Sequence, residues 1–143
     1  MPAERETLEV DVLIVGGGPA GLSAAWHLVQ SVKQHNEKVA RHELPGPALD
    51  APSIALVEKA EDWGNHTVSG AVMDPRGISE LMPDWRERGL PVGGIVEEDE
   101  VLFLTAGHRF KLPILPPVMH NEGYPIISLC KAVKWLAGQV EAA

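Results

Sequence analysis

The chain has a single cysteine, Cys130, among its 143 residues. A disulfide framework and a cysteine-ligated cluster within the chain are therefore both excluded. Cys130 lies in an apolar helical pattern, which predicts a buried, inert thiol. The six histidines (His27, His35, His42, His66, His108, His120) show no ligand-like spacing and lack cysteine partners, so no metal site is expected. No stretch reaches the roughly 18 apolar residues of a membrane span. The start, MPAERETLEV, is polar and acidic, unlike a secretory or organellar leader. Basic residues are the minority: 12 Lys and Arg against 20 Asp and Glu leave a net charge of −8. That balance argues against general nucleic-acid binding. The acidic run Glu97–Glu100 reads as a solvated turn. No acid, base or nucleophile stands out as a constellation, and there are no internal repeats. The length allows one domain at most.

What is present is concentrated near the start. Val10–Val15 (VDVLIV) reads as a continuous apolar strand that runs into Gly16-Gly17-Gly18-Pro19-Ala20-Gly21. An alanine- and leucine-rich helical stretch comes next, with Leu22, Ala25, Val29 and Val32 spaced to pack on a sheet. This is G-x-G-x-x-G between a strand and a helix, the context in which the motif predicts a dinucleotide site. Gly16 lets the chain reverse, Gly18 lets backbone approach a diphosphate, and Gly21 lets helix pack on strand. Free N–H groups at the helix start then face the phosphates. The alternative is a plain structural turn.

An acidic residue at the end of the next strand is the second requirement, to hold the ribose hydroxyls. Ser53–Val57 (SIALV) reads as that strand and Glu58 ends it, 37 residues after Gly21. The usual spacing is about 20. The excess falls in Lys33–Pro52, a polar stretch holding Pro45, Gly46, Pro47 and Pro52, which reads as an extended helix end plus a surface loop. A carboxylate at this position disfavours a 2′-phosphate, which makes NADP the least suited ligand. The alternative for Glu58 is a solvated residue at a strand end.

Beyond Glu58 the residues 59–71 read as a loop at the carboxyl edge of the sheet, where such folds bind ligands. Asp74-Pro75-Arg76-Gly77 reads as a turn, and Ile78–Met82 as a short helix stopped by Pro83. Pro91, Gly93 and Gly94 mark another loop. Val101–Leu104 and Arg109–Leu112 flank Thr105-Ala106-Gly107-His108, a β-hairpin signal with Gly107 suited to positive φ. Leu112–Pro117 (LPILPP) cannot be a central strand and reads as an extended surface segment. Ser128 is placed to cap a last helix with Leu129, Val133, Leu136 and Val140 as its apolar stripe. Only two strands are of the buried parallel type, and a dinucleotide fold wants a third. The chain therefore reads as the N-terminal piece of something longer.

The strings DVLIVGGGPAGLSAAWHL, ALVEKAEDWGNHTVSGAVMDP, ISELMPDW, FKLPILPP and ISLCKAVKWLAGQVEA, in that order, resemble one family. They are similar to the N-terminal segment of electron transfer flavoprotein–ubiquinone oxidoreductase, including its FixC-type bacterial relatives. The glycine turn is shared by many flavoproteins; NHTVSGAVMDP and FKLPILPP are the specific parts. The resemblance implies an α/β fold: a partial Rossmann-like FAD-binding domain of the glutathione-reductase type, truncated. That domain covers residues 1–143, with a loop insertion at about 33–52 and a β-hairpin insertion at about 101–112. It implies FAD at the turn, with Gly16, Gly18, Pro19, Ala20 and Gly21 along the pyrophosphate, Glu58 at the ribose, and Lys59 among the cofactor-binding residues. His66, Thr67 and Ser69 would border the flavin end; their alternative role is loop hydrogen bonding.

The same resemblance implies an enzyme passing electrons from reduced electron transfer flavoprotein to ubiquinone. It would sit peripherally on one membrane surface without spanning it. A [4Fe–4S] cluster would be carried on four cysteines that lie outside this chain. The acidic start favours a bacterial source, and so the cytoplasmic face of the inner membrane. The alternatives are a related FAD enzyme, geranylgeranyl-reductase-like or hydroxylase-like, and an inactive fragment with at most weak nucleotide binding. The SGAVMDP and LPILPP segments argue against the former.

Overall fold

The structure, a computed structural model, describes residues 7–143. It is mixed α/β, with three α-helices and several small sheets among the described residues. The chain divides into two compact units. The first holds the residues up to His66 together with Val133–Ala143, and the second is Thr67–Ala132.

In the first unit, β1 (Val12–Val15) pairs in parallel with β2 (Ile54–Val57), in the register Val12 to Ile54 through Val15 to Val57. A parallel pair needs a long crossover, and α1 (Pro19–Ala40) supplies it. Asp11 fastens the entry of the pair. Its carboxylate accepts from the Ser53 N–H and Oγ, both at 2.8 Å, and these bonds hold its pKa below the ordinary carboxylate value.

The expected helix stripe is observed. Leu22 and Ala25 are buried, Val29 and Val32 are half-buried, and Trp26 joins them. The region 33–52, expected to be an insertion loop from Lys33 with an extended helix end, is helical through Ala40, and only residues 41–52 are loop. Asn36, late in that helix, holds the loop back by accepting from Leu49 N–H and donating to Leu49 O, both at 2.8 Å. The strands differ from the expected buried parallel type. Leu13, Val15 and Val57 are 58%, 79% and 47% exposed, because only one face of this pair is covered. A run apolar at every position is the pattern of a strand covered on both faces.

The second unit contains β3 (Ala71–Val72), α2 (Pro75–Leu81), β4 (Val92–Ile95), β5 (Leu102–Leu104), β6 (Arg109–Lys111), a 3-10 turn (Pro117–Met119) and β7 (Pro125–Ile127). Strands β3, β7 and β4 form an antiparallel sheet in that order. Strands β3 and β4 lie at stretches that read as loop, and β7 in a stretch to which the sequence assigns no element. In β4, Gly93 and Gly94 imitate loop composition, but the strand shifts register between Val92 and Gly94, and a bulge accommodates glycine. In β7, Pro125 is the first residue, where the missing donor is tolerated, and its carbonyl accepts from Met73 N–H at 2.9 Å. The expected turn at 74–77 is the first turn of α2. Asp74 caps it, accepting from Arg76 N–H at 3.0 Å, and Pro75 takes the first helical position.

The β5–β6 hairpin forms as expected, with Phe103 opposite Phe110. Gly107 does not adopt positive φ. Instead Thr105 Oγ1 accepts from His108 N–H at 3.1 Å and closes the turn. The acidic run is largely exposed, as expected, but it forms no turn and is paired. Glu98 and Glu100 each accept from Lys111 Nζ at 2.7 Å, which pushes the Lys111 pKa up to about 12. Asp99 accepts from the Asn121 N–H at 2.6 Å. Leu112–Pro116 carries no strand, as expected, and Ile114 is exposed.

The apolar centre of this unit includes Met82, Trp85, Leu90 and Ile127. Trp85 is 1% exposed and donates from Nε1 to Ser79 Oγ at 3.0 Å. Trp85→Phe shrinks a filled site and leaves that hydroxyl unpartnered. It is expected to cost about 1–2 kcal/mol in urea unfolding, and Ser79→Ala less.

The last helix, α3 (Leu129–Glu141), runs from the second unit into the first. Val133 and Leu136 of its expected stripe are buried, Leu129 and Val140 half-buried. Ser128 Oγ sits 3.5 Å from the Lys131 N–H, a weak cap. Cys130, expected to be buried, is half-buried. No helix among the described residues is long and apolar enough to cross a membrane.

Candidate functional site

The site lies in the first unit, at the carboxyl ends of β1 and β2. The Gly16 N–H donates to Val57 O at 2.8 Å, the last backbone bond joining the two strands. The chain then turns through Gly16 at φ 109°, a left-handed conformation that favours glycine. Gly18 caps α1 in extended conformation, with no side chain of its own to satisfy the first N–H groups. No acidic residue stands in that first turn, so nothing there opposes an anion at the positive end of the helix.

The motif glycines answer to different neighbours. A Cβ on Gly21 would collide with the Gly16 carbonyl oxygen and lie 3.2 Å from Ile14 Cγ2, so close packing demands glycine there. A Cβ on Gly18 would meet nothing within 4 Å. Nothing inside the protein requires glycine at 18, and the space over it is open. Pro19 and Ala20 are the first two residues of α1.

Glu58 comes directly after β2. Its Oε2 accepts from Gly17 N–H at 2.7 Å and its Oε1 from Ala60 N–H at 2.9 Å. These two bonds, Ala60's first, hold its pKa below the ordinary carboxylate value, with a smaller contribution from His66. The side chain is 19% exposed, and His66 Nδ1 stands 4.0 Å from Oε1. A cleft of about 380 Å³ opens here, lined by Val15, Gly16, Val57, Glu58 and Lys59. An ionised, acceptor-only group thus lines the same open cleft as Gly16, the first glycine of the turn.

The glycine turn, Glu58, Lys59 and His66 belong to this unit. Thr67 and Ser69 belong to the second, where Ser69 Oγ and Ser128 Oγ hydrogen-bond at 2.8 Å. Sequence reasoning missed Gly17 and Trp63. A Cβ on Gly17 would lie 2.7 Å from Trp63 Cε3 and 3.1 Å from Glu58 Cβ. The middle glycine of the run and a tryptophan in an otherwise small and polar stretch are the only sequence signals for them, and the motif uses neither.

No protein-family model matches the chain. Curated proteins do. The chain is 44% identical over 140 residues to electron transfer flavoprotein-ubiquinone oxidoreductase, mitochondrial, of Bos taurus, covering 97% of the chain and 21% of that protein. The pig (Sus scrofa) protein of the same name is 46% identical over the same shares. Electron transfer flavoprotein-ubiquinone oxidoreductase of Pseudomonas aeruginosa is 43% identical over 141 residues, 96% of the chain and 23% of that protein. The chain thus spans between a fifth and a quarter of the length of these relatives, which are oxidoreductases by name. In sequence, the chain is similar to the N-terminal part of proteins named electron transfer flavoprotein-ubiquinone oxidoreductase.

Proposed function

We propose that residues 1–143 form the N-terminal part of a Rossmann-like FAD-binding domain of the glutathione-reductase type. The protein would pass electrons from reduced electron transfer flavoprotein to ubiquinone. The observation that carries the FAD reading is the open space over Gly18, beside a helix start that carries no acid and a fixed carboxylate at Glu58. These residues fit a dinucleotide. Gly16, Gly18, Pro19, Ala20 and Gly21 hold the pyrophosphate by backbone approach and helix N–H groups. Glu58 keeps lone pairs for ribose hydroxyls and repels a 2′-phosphate, and Lys59 borders the same cleft. His66, in the same unit, serves the flavin end. FAD supplies the redox chemistry when bound; the chain binds it, orients it and sets its surroundings.

The relatives' names supply the donor and acceptor in this reading. Ubiquinone is lipid-soluble, which puts the activity at a membrane surface. In this reading the protein lies on the cytoplasmic face of a bacterial inner membrane; relatives of the same name are both bacterial and mitochondrial. The intact protein is expected to purify with a flavin spectrum and to be reduced by electron transfer flavoprotein in preference to NAD(P)H. A colourless protein that takes up no added FAD would overturn the cofactor. Reduction by NAD(P)H alone would favour a hydroxylase-like or reductase-like flavoenzyme. The isolated 143 residues are expected to show no quinone reduction.

A further inference from the structure

Three consecutive glycines, Gly16 to Gly18, form the turn on which the proposed FAD site depends. Glycine loses more freedom on ordering than any other residue. A bare run of three would therefore have to be ordered by the ligand, at the expense of affinity. The structure instead supplies a wall. The Trp63 ring lies where a Gly17 side chain would be, so Gly17 is confined on that side. Its N–H is held on Glu58 Oε2 at 2.7 Å.

Trp63 is itself held from two directions. Its Nε1 donates to Glu141 Oε1 at 3.2 Å, near the end of α3. Its backbone N–H donates to Asp62 Oδ1 at 2.9 Å, and the other oxygen of Asp62 pairs with Lys134 of the same helix. All of these residues lie in the first unit. The loop after Glu58 is thereby strapped to α3 at two neighbouring positions.

We propose that Trp63 is a positioning residue for the dinucleotide site: its ring, anchored on Glu141, backs Gly17 and keeps the Gly17 N–H on the Glu58 carboxylate. The inference rests on the FAD reading above and adds to it a residue outside the glycine motif. It assigns preorganisation of the turn to an aromatic wall rather than to the motif alone.

The test compares the intact wild-type protein with Trp63→Phe and Trp63→Ala, each checked for folding by circular dichroism. FAD affinity and the NMR titration of the Glu58 carboxyl are both measured. Trp63→Phe keeps a ring against Gly17 and is expected to stay within about threefold of wild type. Trp63→Ala is expected to weaken FAD by about tenfold or more, the worth of one charge-assisted hydrogen bond. Its Glu58 titration should also move up toward the ordinary carboxylate range, which a loss of global stability alone would not cause. A folded Trp63→Ala with wild-type affinity and an unmoved Glu58 titration overturns the proposal.

If Trp63→Ala does not fold, Glu141→Ala and Glu141→Gln decide. The alanine removes the anchor and should weaken FAD by about threefold. The glutamine keeps an acceptor oxygen and should not. Equal affinity in both overturns the proposal. A wild-type protein that binds no FAD, but whose Glu58 titration still responds to Trp63→Ala, overturns the cofactor reading and leaves the positioning role standing.

Discussion

Gly18→Ala is expected to leave the protein folded and to weaken FAD binding by about 100-fold or more. The methyl group enters open space, with nothing within 4 Å. The backbone there is at φ −79°, ψ −177°, which any residue adopts. Replacing glycine by alanine at a helix cap should therefore cost under about 1 kcal/mol of stability. A pyrophosphate approaching the same backbone would meet the methyl directly and lose one or two charge-assisted hydrogen bonds. Gly21→Ala is the opposite case. Its methyl would run into the Gly16 carbonyl oxygen, a backbone atom that cannot swing away. It is expected to destabilise the protein by about 3 kcal/mol or more and to lose FAD with the fold. Urea unfolding and FAD titration of both variants separate the two effects. Wild-type FAD affinity in Gly18→Ala would make the turn a structural connector only.

That contrast also marks where the sequence was readable. The order strand, glycine turn, helix, strand and Glu58 is local, and each step has its own residue signal. The parallel pairing of β1 with β2 results from it. The β5–β6 hairpin and the α3 stripe are local too. The sheet of β3, β7 and β4 was not readable. Its strands are two to four residues long, one is half glycine and one begins with proline. Their pairing joins segments far apart in the chain, and no local pattern announces it. The same holds at the site. The motif explains three glycines by ligand, turn and packing, and it is silent on Gly17. Gly17 answers to Trp63, 46 residues on, which could be placed against it only once α1, β2 and α3 were packed. The pairing of Glu98 and Glu100 with Lys111 was hidden for a similar reason: the partners lie across a hairpin.

The second large effect is expected at Glu58. At neutral pH its carboxylate is ionised and accepts from two backbone N–H groups, Ala60 and Gly17, which hold its pKa below the ordinary value of 4.5. In the unfolded chain the same group returns to that ordinary value. A depressed folded pKa means that this contribution to stability is fully present above about pH 4.5 and disappears as pH falls through the lower, folded value. FAD affinity should take the same course, because the protonated acid gives up an acceptor position that the ribose hydroxyls need. Affinity is therefore expected to stay level from pH 7 to about pH 4.5 and to fall only below it. Glu58→Gln removes the titration and turns an NH₂ group toward one of the two backbone donors. Its affinity should be about 30-fold lower at pH 7, with no further acid-dependent loss from this position. FAD titrations of the wild type and Glu58→Gln between pH 4 and 7, with circular dichroism to confirm folding, measure both features. An acid limb that persists unchanged in Glu58→Gln would move the titrating group elsewhere, and a wild-type affinity in that variant would remove Glu58 from the site.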